Sequence, residues 1–163
     1  MSSPSTPPTM AEDLLDAEAH RRLGAELFNH VWRLLETEGR SAEQDDEMIH
    51  AAHASRWHWS RTGARDLDQR LAVGEWQCSR VYAVLGRGEP ALFHARRCLE
   101  LAQRDGVEAW ALASAYEAMA RASSVAGDRT AFGEWRERAR EAVGQIEDPE
   151  EREVIEGDLA TLG

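Results

Sequence analysis

His50, His53, Trp57, His58 and Trp59 fall within ten consecutive positions, just after Glu43, Asp46 and Glu47. A helix turns about 100° per residue. On a helix, Glu43, Asp46, Glu47, His50, His53, Ala54 and Trp57 therefore share one face, and Met48, Ala52 and Trp59 the opposite one. Imidazole and carboxylate together suit Zn, Fe, Ni or Cu. Glu47 and His50 have the Glu-x-x-His spacing of two-metal carboxylate centres in helical bundles. The chain holds no second such pair, so the spacing points to a single divalent ion. Glu47, His50 and His53 would supply three ligands. His94, Glu75 or His30, from other helices, would supply a fourth. His58 lies about 80° around the helix from His50 and is a less natural co-ligand. An ion with an open position would activate water or bind a small substrate. The same residues also have a plainer reading. Acids in the first turns favour the positive end of the helix dipole, and helix histidines hydrogen-bond to their neighbours.

Several chemistries are excluded. All nineteen basic residues are arginine, so there is no Schiff-base lysine and no phosphate-loop lysine. The sequence contains no GxGxxG, GxSxG, HExxH or CxxC motif. The net charge is −11, and the densest acidic run is Glu147 to Asp158. Such a surface repels phosphate backbones and anionic bilayers, so neither nucleic acid nor membrane is expected as a partner. Cys78 and Cys98 fall inside apolar helical patterns and read as buried reduced thiols. A cytoplasmic location is expected.

The elements that must carry these residues are helices. Capping boxes are expected at Thr9–Glu12, Ser41–Gln44, Asp66–Gln69 and Asp105–Glu108. Gly88-Glu89-Pro90, Asp128 and Asp148 with Pro149 mark further starts. Gly39, Gly63, Gly86, Gly106 and Gly127 mark stops. Seven helices follow, at about 11–38, 42–62, 67–85, 90–104, 107–125, 129–146 and 150–161. Residues 1–10, rich in Ser, Thr and Pro, read as a disordered tail without the apolar run of a secretory signal. The remainder, 11–163, reads as a single all-α domain. Its connections are short, so successive helices should run antiparallel.

One internal repeat is visible at an offset of 40. Trp76 matches Tyr116, Cys78 matches Ala118, Tyr82 matches Ala122 and Leu85 matches Val125. Beyond the turn, Ala91 matches Ala131, Leu92 matches Phe132 and Arg96 matches Arg136. The third and fourth helices thus pair with the fifth and sixth, and the first two read as a divergent copy. Over Asp66 to Ile146 this unit resembles the tetratricopeptide repeat (TPR). Tyr82, Gly86, Ala91 and Cys98 stand where that family places Tyr, Gly, Ala and a small residue. Ala115, Ala118, Met119, Ala131 and Trp135 fill the matching packing positions of the next copy. The offset exceeds the family's 34 residues.

The resemblance implies antiparallel helix hairpins stacked as a short right-handed superhelix, closed by a C-terminal capping helix. It also implies a concave groove that takes a peptide, protein or small molecule. The expected function is therefore a binding module, with Trp57, His58, Glu75 and His94 as candidate ligand contacts. The alternative is a metal-binding protein or metal-dependent enzyme built on Glu47, His50 and His53. A third reading is a homodimer formed through an exposed apolar patch. Trp76 and Trp110 read as packing aromatics rather than ligand platforms.

Overall fold

The computed structural model describes residues 14–163. It contains α1 (Ala17–Leu35), α2 (Ala42–Ser60), α3 (Leu67–Val84), α4 (Gly88–Ala102), α5 (Ala109–Val125), α6 (Arg129–Val143) and α7 (Pro149–Ala160). The described residues contain no strand, and none of their helices is long and apolar enough to cross a membrane.

Local chemistry accounts for most of the boundaries. Ser41 and Gln44 form a reciprocal capping box at α2, with Gln44 Oε1 2.9 Å from the Ser41 N–H. Asp128 accepts from the Ala131 N–H at 2.9 Å. Asp148 accepts from the Glu150 and Glu151 N–H groups, with Pro149 in the first turn. Four starts differ from expectation, among them α4, which begins at Gly88 rather than 90 with no side-chain cap. The Thr9–Glu12 box lies outside the described residues, and α1 begins only after Asp16, which accepts from the Ala19 N–H at 2.7 Å. Asp66 caps nothing; its carboxylate instead accepts from Arg70. α5 begins at Ala109 rather than 107, and the Glu108 N–H donates to Gln69 Oε1, a side chain of α3. A neighbouring helix thus supplies the hydrogen bond that Asp105 was expected to supply locally.

All five expected glycine stops have φ between 61° and 84°. Gly86 and Gly127 make the same turn. The N–H after each returns to the carbonyl five residues earlier: Arg87 to Tyr82, and Asp128 to Ser123. These turn glycines stand one residue further apart than the sequence offset, so the copies slip in register between helix and turn.

Helices pack chiefly on their sequence neighbours: α1 on α2, α2 on α3, and so on to α6 on α7. α5 also packs on α3 and on α7. Val31, Leu34, Met48, Ala51, Ala52, Cys78 and Val81 form one buried cluster across α1, α2 and α3. Ala72, Cys98, Leu101, Ala102, Ala111 and Ala115 form another across α3, α4 and α5. Ala113, Val143, Ile146 and Ile155 hold α7 on α5 and α6. The core is dominated by alanine, so backbones approach closely. A Cβ on Gly88 would stand 2.7 Å from the Ala126 Cα.

Candidate functional site

The outer face of α2 is as its sequence predicts. Glu43, Asp46, Glu47, His50, His53 and Trp57 are exposed, while Met48 and Ala52 are buried. The structure distributes these side chains among separate contacts. His30 Nε2 lies 2.7 Å from Glu47 Oε1, linking α1 to α2. His53 is hydrogen-bonded with the Tyr82 hydroxyl at 2.9 Å. His58 and Trp57 turn the other way, to the buried His20 of α1: His58 Nδ1 is 2.8 Å from His20 Nδ1, and the Trp57 ring centre is 5.5 Å from the His20 ring. Among the described residues no group of three or more His, Cys, Asp or Glu side chains could hold a metal ion. Glu47, His50 and His53 are not brought together as a ligand set.

Glu75 and His94 do meet. His94 Nδ1 is 2.6 Å from Glu75 Oε2, while Arg56 and Arg97 donate to Glu75 Oε1 at 2.9 and 3.2 Å. The His94 ring stacks on Tyr82 and meets His53 edge-on. Burial pushes the Glu75 carboxyl up. The His94 hydrogen bond, the charges of Arg56 and His94, and the Arg97 hydrogen bond outweigh that and hold it below the usual carboxylate range. Desolvation, and the charge of His94, push His53 below the usual imidazole value against the pull of Glu75. Glu75 is saturated with partners from α2 and α4. This network joins three helices, with both Glu75 carboxylate oxygens engaged.

A concavity with a mainly apolar lining lies elsewhere, on the first helix of each pair. It encloses about 360 Å³. Phe28 and Trp32 come from α1, Ala72, Val73 and Trp76 from α3, and Trp110, Ala111 and Ser114 from α5. Cys98 of α4 also borders it, and Glu151, Val154 and Ile155 of α7 close one side. Trp32 and Trp76 meet at 5.7 Å between ring centres. Val154 is 67% exposed, so the α7 wall presents an apolar side chain to the opening. A second, more polar compartment of similar size adjoins it and shares Phe28, Val73 and Trp110. It adds Asn29, Trp59, Asp66, Gln69 and Arg70.

Trp76 and Trp110, expected as packing residues, pack and line the groove at once. Phe28 and Trp32 are groove residues that the sequence reading missed. Their i, i+4 spacing on α1 was the available signal, since it stacks two aromatic rings on one helix face.

Comparisons with protein-family models, with curated proteins and with solved structures find no match to this chain.

Proposed function

We propose that the chain is a TPR-like binding module: stacked helix hairpins whose first helices present a concave groove to a ligand with an apolar, ring-sized body, with α7 as the cap. The observation that carries this reading is the aromatic lining of Phe28, Trp32, Trp76 and Trp110, drawn from three helices and closed by α7. The volume falls within the roughly 300–1,000 Å³ of small-molecule sites. Burying about 150–250 Å² of an aromatic ligand contributes roughly 4–6 kcal/mol before association costs. That supports modest, measurable affinity.

The test is titration with the neutral dye N-phenylnaphthylamine, which fluoresces in apolar surroundings. Saturable binding at one site is expected. Val154→Arg would set a guanidinium at the mouth of the groove, at a position exposed enough to leave folding intact. It should weaken binding about tenfold or more, with an unchanged circular dichroism spectrum. Non-saturable binding, or equal binding by the variant, overturns the reading.

A further inference from the structure

The groove's lining carries an asymmetry of charge. Glu151 is the charged residue of the apolar compartment. The polar compartment adds Asp66 and Arg70, which pair with each other at 2.9 Å. Arg70 is further engaged over the Trp59 ring. The lining therefore carries one unbalanced charge, and it is negative. Two more carboxylates stand behind Glu151. Glu108 accepts from the Trp110 indole N–H at 2.5 Å, and Asp148 caps α7. Burial raises the proton affinity of Glu151, and the charges of Asp148 and Glu108 raise it further. A positive group placed here relieves that repulsion. The N-terminal dipoles of α5 and α7 offset part of it, and Asp148 is already engaged with backbone N–H groups. Glu151 has no ion-pair partner among the described residues.

The rings point the same way. The chain repeatedly covers aromatic faces with its own arginines: Arg70 on Trp59, Arg80 on Trp76, Arg138 on Trp135. Among the described residues no arginine covers Trp32 or Trp110. The Glu108 carboxylate polarises the Trp110 indole through its N–H and so enriches the π face that attracts a cation.

We infer that the groove selects a small organic cation, an ammonium or amidinium group on an apolar body, with the charge held at the Trp110–Glu151 end and the body against Trp32 and Trp76. This rests on the groove reading above and names its ligand class.

The test uses three phenylbutyl probes of one shape, ending in trimethylammonium, in tert-butyl or in sulfonate, each titrated calorimetrically into the intact protein. The ammonium should bind about tenfold tighter than the tert-butyl isostere, and the sulfonate weakest. Glu151→Gln should reduce the preference for ammonium over tert-butyl several-fold, the loss falling mainly on the ammonium probe. Trp110→Leu should weaken the ammonium more than the neutral probe. Equal binding of ammonium and tert-butyl, or an unaltered preference in Glu151→Gln, overturns the inference. If none of the three binds while N-phenylnaphthylamine still does, the cation reading alone fails. If the dye fails too, the groove reading falls with it.

Discussion

Arg80 of α3 and Asp158 of α7 meet at 2.7 Å, although 78 positions separate them, and the same guanidinium lies over the Trp76 ring of the groove. Arg121 of α5 extends the contact. It donates to the backbone carbonyl of Asp158 on α7, to the hydroxyl of Thr161 at the C-cap of α7, and to the buried Glu117. The helix that walls one side of the groove is thus fixed by two arginines from helices that line it.

Removing that anchor should loosen α7 first. Asp158→Ala leaves Arg80, which is 12% exposed, with only Glu117 at 3.7 Å. Stripping one partner from a fully buried pair costs about 3–5 kcal/mol. Asp158 is partly exposed and Glu117 remains, so about 1–3 kcal/mol is expected here. Hydrogen exchange should accelerate in residues 149–160 more than in α2 or α4. Uniform acceleration along the chain would mean that Asp158 stabilises the fold as a whole rather than the wall of the groove.

The Glu75 network makes a prediction with a definite sign in pH. The folded-state pKa of Glu75 lies below its ordinary value of 4.5. The fold therefore favours the carboxylate, and its contribution is complete above about pH 4.5 and lost as pH falls through the folded value. His53 is also lowered, from 6.5. The fold favours its neutral ring, so stability declines as pH falls below about 6.5 toward the folded value. Glu75→Gln should cost about 1–3 kcal/mol near pH 7, less than three lost charge-assisted bonds, because Arg56 and Arg97 can reach water. The gap between wild type and variant should close on acidification below about pH 4.5. A gap that stays constant in urea titrations across that range would show that the charge on Glu75 is not its source.

How much of this was legible in the sequence follows from how local each cause is. Ser41 with Gln44, Asp128, Asp148 and the glycine stops act within a few residues, and they placed most of the seven helices. The start of α5 was misplaced because its hydrogen bond comes from Gln69, on another helix. The outward face of α2 was readable from its 100° rotation, but that rotation says nothing about which neighbours meet it. His30 reaches Glu47, and Tyr82 reaches His53, so residues that share one face serve different contacts. Glu75 and His94 were singled out as separate candidates, and their contact depends on the packing of α3 against α4. The groove was hardest to read. Phe28, Trp32, Trp76 and Trp110 lie on three helices, and alone each has the spacing of an ordinary core residue.

The two cysteines should be chemically silent in the folded protein. Both are free and buried. Desolvation, with the charge of Glu75 adding to it, pushes the Cys78 thiol up to about 12 and raises Cys98 as well. The thiolate is the reactive form. A disulfide reagent at about pH 8 should therefore modify neither thiol in native protein and both in denaturant. Rapid labelling of either under native conditions would reveal an opening of the α3–α4 packing on the timescale of the assay.

Two helical glycines should respond in opposite directions to the same substitution. At Gly88, on the first turn of α4, a Cβ would meet the Ala126 Cα at 2.7 Å and its N at 2.9 Å. Both are backbone atoms, so no side-chain rotation relieves the contact, and α4 must move away from the end of α5. Alanine is about 1 kcal/mol better than glycine inside a helix, but overpacking of this kind costs about 1–3 kcal/mol. The clash should win, lowering Tm by about 2–4 °C per kcal/mol. At Gly133, on α6, a Cβ meets nothing within 4 Å. Helix propensity then acts alone, and Gly133→Ala should raise Tm through a gain of roughly 0.4–1 kcal/mol. Thermal melts of the two variants read the sign directly. A stabilised Gly88→Ala would mean that the α4–α5 approach is looser than the 2.7 Å contact requires.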